Sequence, residues 1–121
     1  LSGVRIGDVL KIQFPAARPP GHEQVGTRPA VVVGIPDRLG SPRFPGLIVV
    51  PLTTSAGDYV ADAPALYPMF PAGTGGLTAD SVALTDQVRA VSVSRILSRL
   101  GTLTPGEYAP VQEALRGMLE L

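Results

Sequence analysis

Three short polar clusters hold the residue types that acid–base and phosphate chemistry require. The first is Gly21-His22-Glu23-Gln24, followed closely by Thr27-Arg28. The second is Thr53-Thr54-Ser55, and the third is Asp86-Gln87 with Arg89. Together they supply an imidazole, two carboxylates, guanidinium groups, hydroxyls and amides. None has the layout of a Ser-His-Asp elbow, a phosphate-binding loop or a metal-ligand spacing. The set suits phosphodiester transfer without a metal ion. That reaction needs a base for a ribose 2′-OH, an acid for the leaving 5′-oxygen and donors for the charge on phosphorus. Arginine's planar fork matches phosphate oxygens, and hydroxyls and amides read the splayed bases of single-stranded RNA. Taken singly, each cluster also reads as ordinary loop chemistry: a solvated arginine, a loop histidine, and hydroxyls bonded to their own turn.

These clusters converge only if the elements carrying them are neighbours. Val9 to Phe14 alternates, with Leu10, Ile12 and Phe14 on one face and Lys11 and Gln13 on the other, which predicts a half-buried strand after a turn at Gly7-Asp8. Pro29 to Ile35 and Leu47 to Leu52 are continuous apolar runs of strand length, as expected of central strands covered on both sides. Pro51 removes a ladder donor, so the third strand is expected to end or bulge there. The polar clusters then fall at strand ends, the first in a long loop from Pro15 to Thr27 and the second directly after the third strand. A second Pro/Gly loop, Pro36 to Gly46, separates the two apolar runs.

Pro64 and Pro68 restrict the stretch from Tyr59 to Phe70 to edge-strand pieces. Gly73-Thr74-Gly75-Gly76 reads as a flexible turn, since no helix follows it. Short strands are expected at Ser81 to Leu84, Val88 to Val91 and Leu100 to Leu103, with one helical turn at Ser92 to Leu97. Thr104-Pro105-Gly106-Glu107 is a helix start with a capping box. Tyr108, Val111, Leu115 and Met118 then form an apolar stripe at helical spacing, enough for a C-terminal helix of about four turns.

Composition narrows the classes. With 121 residues there is room for one domain, taken as 1–121. Glycine (14) and proline (13) cut the chain into short pieces, as in small β folds with many turns. Ten basic residues balance ten acidic ones, which argues against holding duplex DNA by bulk charge. The absence of cysteine excludes a disulfide scaffold and a thiol nucleophile. One histidine and no tight acidic cluster leave no evident metal site, so neither a metal nor another cofactor is expected. No apolar run reaches the roughly 20 residues of a membrane helix. The opening Leu1 points to a trimmed start, with nothing resembling a targeting segment.

The sequence resembles the MazF/PemK/Kid family of toxin endoribonucleases from type II toxin–antitoxin systems. The resemblance rests on Gly7-Asp8-Val9, the stretch from Gly21 through Arg28-Pro29 to Val33, Val49 to Ser55, Asp80 to Arg89, and Arg99-Leu100-Gly101. No single piece is specific; their order is. GHEQ followed by GTRP resembles the Kid/PemK branch in particular. The resemblance implies an SH3-like β-barrel of the MazF/CcdB type, mainly β with a C-terminal α-helix. It implies a cytoplasmic homodimer that cuts single-stranded RNA or mRNA at short sequences, without metal, through a 2′,3′-cyclic phosphate. Growth arrest follows from lost translation. It also implies a cognate MazE/PemI-like antitoxin, expected to cover the Gly21 to Arg28 loop with an acidic tail that folds on binding. Contact with DNA would be only indirect, through that antitoxin.

By the same resemblance, the family's central arginine falls on Arg28 and its threonine on Thr53. Its loop histidine and glutamate fall on His22 and Glu23, and its acid on Asp86. Arg28 is expected to stabilise charge on phosphorus and Thr53 to donate to it, with proton transfers among Glu23, His22 and Asp86. Gln24, Thr54, Ser55, Gln87 and Arg89 are expected RNA contacts. At position 84, where the Kid branch has arginine, this chain has Leu84, as MazF-type members do. The division of roles need not follow Kid. Three other readings stand beside this one. A gyrase poison of the same fold acts through C-terminal aromatics, whereas this chain ends Leu119-Glu120-Leu121 and has no tryptophan. A proline-rich-peptide module would need an aromatic groove. The third is a catalytically inactive homologue kept for binding or regulation.

Overall fold

The computed structural model of the chain describes residues 3–121; Leu1, where the sequence opens, and Ser2 lie outside them. Seven strands run β1 (Asp8–Phe14), β2 (Gly26–Gly34), β3 (Gly46–Thr53), β4 (Met69–Phe70), β5 (Ser81–Ala83), β6 (Arg89–Ser92) and β7 (Ile96–Thr102). A short helix α1 (Asp58–Asp62) precedes β4, and α2 (Pro105–Leu119) ends the chain. The sheet order is β4-β5-β3-β2-β1-β7, with β6 also paired to β3, and every ladder is antiparallel. The sheet curls into a half-barrel capped by α2, as the resemblance implied.

Alternation in the central strands fills two apolar layers. Val9, Val31 and Val50 join Leu52, Phe70, Leu103 and Val111 of α2 on one face. Leu10, Ile12, Phe14, Ala30, Val32, Leu47 and Val49 fill the other. β2 and β3 are therefore covered on both sides over much of their length, which is why they read as unbroken apolar runs, whereas β1 exposes Lys11 and Gln13. α2 is capped as expected: Glu107 N donates to Thr104 Oγ1 at 3.2 Å, and Thr104 N donates to Glu107 Oε1 at 2.8 Å. Its buried positions are Val111 and Ala114, with Tyr108 and Leu115 packed partly against the core.

Several local expectations are corrected. β3 does not stop at Pro51. On its outer edge β3 pairs with β6 over residues 46–49 and with β5 over residues 52–53. The Pro51 carbonyl points to that edge, accepting from Leu84 N at 2.9 Å, so the missing N–H falls where the partner strands change. β2 starts at Gly26, which puts Thr27 and Arg28 inside the strand, with Arg28 opposite Ile12. β7 begins at Ile96, after a single 3₁₀ turn at Val93–Arg95. The Tyr59 to Phe70 stretch yields the expected edge strand only at its end, after α1.

The 73–76 turn is pinned rather than flexible. Gly75 and Gly76 have positive φ of 57° and 79°. A Cβ on Gly75 would stand 2.8 Å from Val9 Cγ2, and one on Gly101 of β7 would stand 2.5 Å from Gly75 O. Backbone lies directly on backbone there, and only glycine fits.

Candidate active site

β2 and β3 bring the first two clusters together. Their ladder ends with Ala30 opposite Pro51. Arg28 lies two residues before that pair in β2 and Thr53 two residues after it in β3, so both stand at the same end of the ladder. Thr53 is buried, and its Oγ1 accepts from Ser55 N at 3.1 Å. That bond uses the hydroxyl as an acceptor and leaves its proton free to be donated. Arg28 is half-buried and donates Nε to Val25 O at 3.1 Å, which holds the guanidinium while leaving both Nη groups available.

A groove of about 520 Å³ opens beside Thr53. His22, Gln24, Ser55, Asp86 and Gln87 line it with Thr53, together with Tyr59, Tyr67 and Leu84. Glu23 and Arg89 border an adjoining depression that shares His22, Asp86 and Gln87. Eight of the ten expected residues thus converge. Arg28 and Thr54 line a neighbouring hollow of about 290 Å³ with Lys11 and Thr27. A separate hollow of about 630 Å³ between α2 and the 64–68 segment is mostly apolar and holds none of the ten.

The third cluster is presented by a 3₁₀ turn, Thr85–Gln87, with Thr85 fully buried beneath it. Asp86 is exposed, and its Oδ2 accepts from Tyr67 O–H at 2.7 Å. That hydrogen bond is the main reason the Tyr67 phenol is pushed up to about 12, so it remains a donor at neutral pH. Gln87 reaches the first loop: Oε1 accepts from Gln24 N at 2.8 Å and Nε2 donates to His22 O at 3.2 Å. Arg89 stacks over the Phe14 ring at 5.4 Å.

Tyr59 and Tyr67 are the groove residues that sequence reasoning missed. Their rings meet edge to face at 4.9 Å, and Tyr59 O–H donates to Ser55 O at 2.6 Å. The available signal was two of the chain's three tyrosines close together in an aromatic-poor sequence. Chemically, the site offers an imidazole and two carboxylates for proton transfer, and a hydroxyl and guanidinium for an anion. Among the described residues, no three His, Asp or Glu side chains stand close enough to share a metal ion.

Comparison with known proteins matches residues 5–119 to a family described as the PemK-like, MazF-like toxin of type II toxin–antitoxin systems. The chain belongs to this family. The toxin is 32% identical over 128 residues to endoribonuclease MazF9 of Mycobacterium tuberculosis, covering 98% of each chain. Its fold matches the crystal structure of MazF from Deinococcus radiodurans with a TM-score of 0.73 at 25% identity, over 98% of this toxin and 97% of that chain. A MazE–MazF structure from the same organism matches with a TM-score of 0.70 at 26% identity, over 98% and 96% of the two chains. No helix among the toxin's described residues is long and apolar enough to cross a membrane.

Proposed function

We propose that this toxin is an endoribonuclease that cuts single-stranded RNA at the Thr53–Asp86 groove, with protein side chains alone performing the proton transfers. The observation that supports this best is one groove lined by His22, Gln24, Thr53, Ser55, Asp86 and Gln87, three polar clusters that lie far apart in the sequence. The ribose 2′-oxygen loses its proton to one member of the His22, Glu23 and Asp86 set and attacks the adjacent phosphorus. The bond from phosphorus to the 5′-oxygen breaks, and a second member of the set returns a proton to that oxygen. The products are a 2′,3′-cyclic phosphate and a free 5′-OH. Arg28 neutralises charge on the pentavalent phosphorus through its free Nη groups, while Thr53 donates its hydroxyl proton to a phosphoryl oxygen. Gln24, Thr54, Ser55 and Arg89 contact bases or sugars.

In this reading the toxin works as a cytoplasmic homodimer and arrests growth by destroying mRNA. A MazE-like antitoxin holds it inactive, as the pairing named for the D. radiodurans MazE–MazF structure suggests. An acidic segment folding over the 21–28 loop would compete with RNA for Arg28. Such coupled folding carries an ordering cost of roughly 2–5 kcal/mol. The test is sequencing of the ends left on a single-stranded RNA by the purified toxin. Cyclic phosphates and 5′-OH ends at a recurring short sequence are expected; uncut RNA, or 5′-phosphate ends, would overturn the proposal.

A further inference from the structure

The segment from Pro15 to Val25 carries His22, Glu23 and Gln24, yet among the described residues it makes no backbone-to-backbone hydrogen bond, either internally or to a strand. Three side-chain bonds hold it. One is local, from Arg28 Nε to Val25 O, three residues away. The other two both come from Gln87, across 63 and 65 residues of sequence, to Gln24 N and His22 O. Gln87 itself sits on a firm base. Its N–H donates to Leu84 O at 2.9 Å, and the next amide, Val88 N, donates to Thr85 O at 3.1 Å over the buried Thr85.

A primary amide is the side chain this contact requires. Gln87 must accept from one backbone N–H and donate to one backbone C=O, and a carboxylate or an alkyl group of similar size cannot do both. Because Asp86 is the preceding residue, the same contact fixes the distance between the loop's proton-transfer groups and the Asp86 carboxylate.

We propose that Gln87 is a positioning residue for RNA cleavage, latching the His22–Gln24 segment against the Asp86 turn, rather than a residue that touches RNA. This rests on the reading of the groove as the cleavage site. Misplacing reacting groups by about 1 Å costs on the order of 100-fold in rate. Loss of the latch therefore lowers kcat by about 100-fold while leaving KM little changed, because the RNA contacts assigned to Thr54, Ser55 and Arg89 lie outside the latched segment.

The experiment compares the full-length toxin with Gln87→Leu and Gln87→Glu, measuring hydrogen exchange at the Gln24 amide together with kcat and KM on a single-stranded RNA. In Gln87→Leu, the Gln24 amide exchanges faster and kcat falls with KM held. Gln87→Glu keeps an acceptor for Gln24 N but loses the donor to His22 O, so it falls between Gln87→Leu and the native toxin. It also carries the test should Gln87→Leu fail to fold. Unchanged exchange at Gln24 would overturn the latch itself. Faster exchange with unchanged kcat would overturn the positioning role of Gln87, and only silent His22→Ala and Glu23→Ala variants would in addition remove the loop from the site. A raised KM at constant kcat would make Gln87 an RNA contact instead.

Discussion

Two aspartates divide the molecule between them. Asp8, at the head of β1, is fully buried; Asp86, at the groove, is exposed. Each accepts a hydroxyl hydrogen bond of 2.7 Å, Asp8 from Thr102 and Asp86 from Tyr67. The resemblance ends there. Asp8 Oδ2 also takes the Arg5 amide at 2.9 Å and lies 3.7 Å from Arg99 Nη1, so both of its oxygens are engaged and β1 is tied to β7. Asp86 has Tyr67 on one oxygen and leaves the other to the groove. A buried carboxylate must be satisfied from every side, because each orphaned group costs about 1–3 kcal/mol. A carboxylate meant for chemistry must keep a lone pair free. The same residue type therefore holds the fold in one place and, in the proposed site, serves substrate in the other.

The sharpest way to break this division is to remove groups on the groove side. Arg28→Ala and Thr53→Ala should each slow RNA cleavage by about 100- to 1000-fold, the usual loss for a preorganised donor to a developing oxyanion. Melting temperature should barely move in Arg28→Ala, whereas Thr53→Ala also removes the acceptor of the Ser55 amide and should cost about 1 kcal/mol of stability beside the lost rate. Arg28→Lys should recover only part of the rate, since a point charge lacks the fork. Near-native turnover in Arg28→Ala would remove Arg28 from the site.

Matched substitutions of the two aspartates come next. Asp86→Asn should cut cleavage by about 100-fold through lost proton transfer while preserving stability. Asp8→Asn should do the reverse, costing about 2 kcal/mol because its NH₂ faces donors in a buried site, while the residual folded protein cleaves normally. Denaturant melts read alongside cleavage rates check both. Equal stability losses in the two variants would erase the distinction.

The smallest effect is at Tyr67. Its bond to Asp86 raises the phenol to about 12, above its unfolded value of about 10. The bond's contribution is thus fully present below pH 10 and is lost as pH rises through about 12. In an ultraviolet titration, Tyr67→Phe should lack a phenol that ionises near that pH. If the phenol lost in the variant had instead titrated near pH 10 in the native toxin, Asp86 would have no hydroxyl partner in solution.

The sequence exposes these regions unevenly. β1 and α2 are legible because burial on one face imposes a period, β3 because burial on both faces leaves an unbroken apolar run, and the capping box is local chemistry spelled in four adjacent residues. Gly7-Asp8 and Asp86-Gln87 both read as turns, since burial, which separates the two aspartates, is not written locally. That Arg28 and Thr53 stand at the same end of the β2–β3 ladder depends on a strand register. The Gln87 contact depends on loops more than sixty residues apart meeting. Neither can be read before the fold is known. The 59–76 stretch is opaque because its prolines erase periodicity, so α1, the tyrosine pair and the pinned glycine turn emerge only from tertiary contacts.

Cleavage of a single-stranded RNA by purified toxin in excess chelator tests the central claim most directly. In the proposed mechanism the groove supplies its own acid–base groups and anion donors, so full activity, with cyclic-phosphate ends, is expected after every divalent ion has been removed. Activity that disappears with the chelator and returns with magnesium or manganese would contradict it.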